Sequence, residues 1–119
     1  MSVTVYGIPN CDTVKKARTW VAAQGHDVEF HDFKKQGLER ATAAAWLEQL
    51  GWEVLVNRKG TTWRNLTEER KASIVDADSA LALMLENPSV IKRPVVQGGG
   101  LVTVGFSPAA FEEKFGAAA

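Results

Sequence analysis

The sequence predicts an α/β fold of order β-α-β, then helices, then β-β-α, with a mixed four-stranded sheet, and three observations carry that prediction. Val3, Val5 and Tyr6 make a short β-branched, alternating run that ends at Gly7 and Pro9; Val14, Ala17 and Val21 then recur at helical spacing before Val28 and Phe30 start a second run. Gly98–Gly100 separates two further β-rich runs, and Ser107-Pro108 opens a last helix. Between these ends, residues 36–89 carry helical patterning and form an insertion in what reads as a single domain.

The opening elements follow from local chemistry. A strand, a helix to about Ala23, a turn at Gln24-Gly25-His26 and a strand from Asp27 to Asp32 make a βαβ unit, which implies a parallel pair with a right-handed crossover. His26 and His31 are read as surface or strand-face histidines rather than metal ligands. Phe33 to Gly37 is read as a polar linker, followed by a helix from Leu38 to Leu50 with Ala43, Trp46, Leu47 and Leu50 on one face and Gly51 as its stop. Trp52, Val54, Leu55 and Val56 continue the apolar stripe into a short turn or helix.

The rest of the insertion and the C-terminal part are read in the same way. Residues 57–65 hold Gly60 and several hydroxyl and cationic side chains, so a loop is expected there. Thr67-Glu68-Glu69 is a capped, acid-first helix start, and Asp76 or Asp78 begins another helix that buries Leu81, Met84 and Leu85 before Asn87-Pro88 ends it. Val90 to Val96 is expected to return to sheet, and Leu101 to Val104 to pair with it across the glycine turn. Gly98–Gly100 opens no helix, so a dinucleotide-binding reading is not available. Phe106 and Phe111 have the spacing of a hydrophobic staple; Phe115 lies further along the same helix, and Gly116 and the alanines after it are expected to fray.

Composition narrows the function classes. The chain has 119 residues, 45% hydrophobic and 24% charged, enough for a real core without metals or disulfides. Lys+Arg and Asp+Glu are both 14, and zero net charge argues against nucleic acid as a partner. One cysteine leaves no internal disulfide or multi-cysteine metal site and fits a reducing, cytoplasmic compartment. Neither a signal peptide nor an apolar run of membrane-spanning length is seen, so a soluble monomer without a membrane partner is expected.

That cysteine, Cys11, falls in the strand-to-helix turn Gly7-Ile8-Pro9-Asn10-Cys11-Asp12-Thr13. Unpaired backbone N–H groups and the positive end of the helix dipole favour a thiolate there, the form that attacks disulfides and other electrophiles. Lys15 and Arg18 lie at i+4 and i+7, on the same helix face, with Asp12 opposing them weakly. A lone cysteine is also a common small core residue. The turn and the cations favour a nucleophile.

The element order, with a cysteine at the first strand–helix turn and a proline before the third strand, looks like a thioredoxin-like fold, in which that proline, here Pro94, is typically cis. Tyr6-Gly7-Ile8-Pro9-Asn10-Cys11-Asp12-Thr13, Gly60-Thr61-Thr62-Trp63-Arg64 and Ile91-Lys92-Arg93-Pro94 together resemble the arsenate-reductase-like (ArsC/Spx) family, and within it the YffB-type branch of small glutathione-dependent thiol reductases. The resemblance spans essentially the whole chain. It implies a catalytic pair, Cys11 as nucleophile and Arg93 as the anion-binding arginine beside it. It also implies a substrate-binding set of Asn10, Lys15, Arg58, Arg64 and Pro94.

True arsenate reductases of the family use a second arginine on the middle loop, where Arg58, Asn57 or Arg64 can stand. They use a third just before the last helix, where this chain has Gly105-Phe106-Ser107-Pro108. The regulatory branch senses oxidation through a Cys-x-x-Cys pair, which Cys11-Asp12-Thr13-Val14 does not make. The resemblance therefore implies a thiol/disulfide oxidoreductase that forms a mixed disulfide at Cys11. Glutathione is its co-substrate or resolving thiol, glutaredoxin a further partner, and no cofactor is tightly bound. Two alternatives stay open: an arsenate reductase, or a non-catalytic protein-interaction module using Trp63 and the basic loop.

Overall fold

The structure, a computed structural model, describes residues 2–115. Two compact units divide the chain, one formed by the residues up to Gln36 together with those from Arg93 onward, the other by Gly37–Lys92.

The first unit is built on a four-stranded sheet. Its strands are β1 (Ser2–Gly7), β2 (Asp27–Asp32), β3 (Val95–Gly98) and β4 (Leu101–Val104), in the order β2-β1-β3-β4. β1 and β2 run parallel with Val3 opposite Val28, joined through α1 (Asp12–Ala23). β3 is antiparallel to β1, with Val5 opposite Val96 and Tyr6 opposite Val95, and β4 is antiparallel to β3. This is the expected mixed sheet, in a thioredoxin-like topology.

Alternation explains β1: Val3 and Val5 are fully buried, whereas Thr4 and Tyr6 between them are half-buried. They meet Val14, Ala17 and Val21 of α1, together with Val96 and Phe111. Phe111 lies in the last helix, α8 (Pro108–Phe115), and its ring takes the edge of Trp20 at 5.5 Å and of Phe106 at 5.0 Å. The Phe106–Phe111 staple thus forms as expected, and the Phe111 N–H donates to the Ser107 carbonyl at 2.9 Å. The side chain of Phe115 and the residues from Gly116 on lie outside what is described. In the β3–β4 turn Gly99 and Gly100 both have positive φ, 58° and 79°, which a residue with a Cβ adopts at a cost.

The second unit is helical: α3 (Arg40–Gln49), α4 (Trp52–Leu55), α5 (Thr61–Arg64), α6 (Glu68–Ser73) and α7 (Ala77–Glu86), with a 3₁₀ turn over Pro88–Val90. α3 packs on α7, and Trp46, Leu83 and Met84 are almost fully buried. The caps are those the sequence announces. The Thr67 hydroxyl accepts from the Arg70 N–H at 3.1 Å, and Asp76 forms a reciprocal capping box with Ser79.

Five local expectations are corrected. Phe33–Gln36 is a short helix, α2, rather than a linker: Asp32 Oδ1 accepts from the Lys34 N–H, Gln36 Oε1 accepts from the Asp32 N–H, and Phe33 is buried. Thr61–Arg64 is the helix α5 rather than loop. Sheet begins at Val95, not Val90, because the 3₁₀ turn and Pro94 occupy most of that stretch and Ile91 makes one isolated bridge to Val56. Val54 leaves the apolar stripe and is 49% exposed, since a single helical turn cannot bury adjacent side chains. His26 is buried rather than at the surface, a tertiary outcome that no local spacing signals.

Candidate active site

Cys11 is the N-cap of α1, with extended backbone (φ −105°, ψ 120°), and its carbonyl accepts the first helical bond from the Lys15 N–H at 3.0 Å. Its side chain makes no capping hydrogen bond. Cys11 is half-buried and packs against the core of the first unit. The open N–H groups of the first turn and the positive end of a twelve-residue helix are therefore oriented towards the cap where the sulfur is attached.

Gly7 determines how closely the strand end approaches this turn. A Cβ built at Gly7 would lie 2.7 Å from Val14 Cγ2, so only hydrogen fits between the end of β1 and the first turn of α1. The Cys11 turn is thereby seated against the sheet.

The strand register determines what faces it. With Tyr6 opposite Val95 in an antiparallel pair, Arg93 and Pro94 fall at the end of β3 beside the end of β1 that leads into Cys11. The Arg93–Pro94 peptide bond is cis, as the resemblance implied. Pro94 is buried and Arg93 half-buried, and the Pro94 carbonyl accepts from the Gly105 N–H at 2.8 Å, which ties the segment before α8 to the same end of the sheet.

Of the expected site residues, Asn10, Cys11, Lys15, Arg93 and Pro94 all belong to the first unit. Asn10 and Lys15 are exposed. Arg18, read as lying on the cysteine's helix face, stacks its guanidinium over the Phe30 ring at 4.3 Å. Arg58 and Arg64 belong to the second unit. Arg58 lies over the Trp52 ring at 5.5 Å, and Arg64 is the exposed last residue of α5. Asn57, the alternative at the Arg58 position, is a turn former: its N–H donates to the Val90 carbonyl at 2.8 Å and its side chain accepts from the Lys59 N–H.

The outer face of α1 carries features the sequence did not mark. One open depression of about 360 Å³ is lined by Lys15, Arg18, Thr19, Ala22 and Val28. A second, of about 500 Å³, has Trp20 and Phe106 among its walls. Helical periodicity identified the buried face of α1 but says nothing of a groove completed by a residue from the far end of the chain. Among the described residues no group of three metal-ligating side chains occurs, and no helix is long and apolar enough to cross a membrane.

Comparison with known proteins agrees with this architecture. The solved structure of an arsenate reductase (ArsC) related protein from Brucella melitensis is 52% identical, with a TM-score of 0.72 over 97% of this chain and 95% of that one. The solved structure of a YffB protein is 44% identical, with a TM-score of 0.89 over 95% of this chain and 98% of that one. An uncharacterised protein from Haemophilus influenzae is 43% identical over 113 residues, covering 95% of this chain and 98% of its own length. The model of the ArsC family matches residues 6–114, and the chain belongs to that thiol-reductase family.

Proposed function

We propose that the protein is a cysteine-dependent thiol/disulfide oxidoreductase in which Cys11 is the nucleophile and glutathione the resolving thiol. The single observation that carries this reading is the position of Cys11 as the N-cap of α1, half-exposed, with a sulfur that makes no capping hydrogen bond. A structural cysteine would be sealed in the core, whereas a reactive one needs access and an electropositive setting.

The steps balance as follows. The Cys11 thiolate attacks one sulfur of a substrate disulfide; a new S–S bond forms at Cys11 and one substrate thiolate leaves, taking a proton from water. A glutathione thiolate attacks the Cys11 sulfur, releasing the second substrate thiol and leaving a Cys11–glutathione disulfide. A second glutathione attacks the glutathione sulfur, which restores the Cys11 thiolate and releases oxidised glutathione. Two glutathione molecules supply the two electrons, as they must where the chain has a single cysteine. Arg93 and Lys15, cations of the first unit, pair with glutathione carboxylates in this proposal, Asn10 is the chain neighbour of Cys11, and the segment at Pro94 offers backbone hydrogen bonds.

Arsenate is the poorer substrate in this reading. The segment before α8 supplies Phe106, whose ring packs on Phe111, and no cation. Losing one charge-assisted hydrogen bond to a buried anion costs about 1.5–3 kcal/mol, roughly tenfold to a hundredfold in affinity. A small tetrahedral anion has no other handle, whereas a tripeptide has a backbone and two carboxylates.

The test pairs intact-mass detection of a glutathione adduct after incubation with oxidised glutathione with arsenate-dependent NADPH oxidation coupled through glutathione, glutaredoxin and glutathione reductase, in wild type and Cys11→Ser. An adduct that disappears in Cys11→Ser, with little arsenate turnover, is expected. Robust Cys11-dependent arsenate turnover would reassign the substrate. Neither adduct nor turnover would favour an interaction module.

A further inference from the structure

Where α1 borders β2, the surface of the first unit holds a cationic depression. Lys15, Arg18, Thr19, Ala22 and Val28 line it, around a volume of about 360 Å³, at the small end of the roughly 300–1,000 Å³ range of ligand sites. Cys11 does not border it. The Arg18 guanidinium sits over the Phe30 ring, 4.3 Å from its centroid, a contact that restrains the side chain. Among the described residues, no acid or other acceptor takes the N–H donors of the Arg18 guanidinium or the Lys15 ammonium. The acids close in sequence lie elsewhere. Asp12 is the only acid of α1 and does not line the depression. Val28 and Phe30 pack against the core to which α1 contributes, so strand alternation sends Asp27 and Glu29 to the other face of β2. The Thr19 hydroxyl donates to the Lys15 carbonyl at 3.0 Å, so its proton is spent and the two cations carry any anion binding.

We infer that this depression binds a small phosphate monoester, independently of the chemistry at Cys11. The planar fork of Arg18 takes two phosphate oxygens, and Lys15 supplies the second positive charge. Two cations without an acidic partner match the charge of about −1.5 to −2 on a phosphate monoester at pH 7, whereas a carboxylate would leave one of them unmatched. The organic group of the ester lies along Ala22 and Val28, the apolar part of the lining. Lys15 is the one residue shared with the glutathione partners proposed above, so the test is made at Arg18 and Ala22.

The experiment titrates the whole ¹⁵N-labelled chain with n-butyl phosphate at low ionic strength and follows the backbone amides by heteronuclear NMR, with inorganic phosphate and pentanoate as comparison probes. Saturable shifts centred on Arg18, Thr19, Ala22 and Val28 are expected, with a Kd that rises as salt is added. Arg18→Gln should raise that Kd about tenfold or more, the scale of one charge-assisted hydrogen bond lost. Ala22→Glu should raise it comparably while keeping Arg18, because it sets a carboxylate four residues further along the helix at an exposed position. The amide spectrum of each variant reports its fold, and Ala22→Glu decides alone if Arg18→Gln does not fold. Cys11→Ser should bind as wild type does. Shifts that do not saturate, or an unchanged Kd in both variants, would overturn the inference. So would shifts centred on residues 12–14, or loss of binding in Cys11→Ser, since either would move the anion to the Cys11 turn. Pentanoate binding as tightly as n-butyl phosphate would overturn the phosphate assignment, and inorganic phosphate binding as tightly would overturn the ester. None of these outcomes touches the reductase reading, which stands or falls on the glutathione adduct.

Discussion

Gly7→Ala tests whether the Cys11 turn is seated on the sheet by close contact. The added Cβ would meet Val14 Cγ2 at 2.7 Å, whereas ordinary contact begins at 3.4 Å, so 0.7 Å must be found. Val14 cannot easily give: it is fully buried, and a helical valine has one strongly preferred rotamer. Overpacking of this kind costs about 1–3 kcal/mol. Lower entropy of the unfolded chain returns about 0.4–1 kcal/mol, since Gly7 has no positive φ to penalise a side chain. The net loss is then about 1–2 kcal/mol, or about 4–8 °C in Tm for a chain of 119 residues. Urea titration followed by circular dichroism, on Gly7→Ala, Val14→Ala and the double variant, reads the effect. Val14→Ala alone opens a void, at about 1–3 kcal/mol, but makes room for the new methyl, so the double variant should be at least about 1 kcal/mol more stable than the two losses added. Without the close contact the substitution would stabilise the protein; a Gly7→Ala protein more stable than wild type, or strictly additive losses, would refute the reasoning.

Three further outcomes are expected. Phe111→Ala should destabilise by about 3–5 kcal/mol in the same titration, because it removes a buried ring on which both Trp20 and Phe106 pack. Asp76 is held below the usual carboxylate range chiefly by the Ser79 backbone N–H, and next by the Ser79 hydroxyl. A carboxyl lowered in the folded state adds stability that is fully present above its unfolded value and is lost as pH falls through the folded one, so the wild-type urea midpoint should fall more than that of Asp76→Asn below about pH 4. Glu86→Gln breaks the 2.7 Å Arg70–Glu86 ion pair, but both partners are solvent-accessible, so the unfolding free energy should change by no more than about 1 kcal/mol and the difference should shrink in high salt.

Where local chemistry decides structure, the chain announces itself. Asp76 and Thr67 cap the helices they precede, the Phe106–Phe111 staple forms, and α1 runs to Ala23. The misread segments are those where few residues are involved. α2 and α5 are four residues each, too short for a period to show, and α2 is held by side-chain bonds between Asp32, Lys34 and Gln36. The stretch from Val90 to Pro94 opens with strand composition, yet the 3₁₀ turn over Pro88–Val90 takes its start and Ile91 makes an isolated bridge to Val56.

By itself the sequence determines the helix-capped cysteine, because turn, cap and helix lie within a dozen residues and need no distant partner. Tertiary structure alone decides what stands beside it. Arg93 and Pro94 reach the end of β1 through the register of Tyr6 with Val95, and Phe106 closes the groove on Trp20 because Gly105 is bonded to Pro94. Those residues are more than eighty positions from Cys11 or Trp20 along the chain, a separation at which periodicity carries no information and only strand pairing and packing bring side chains together.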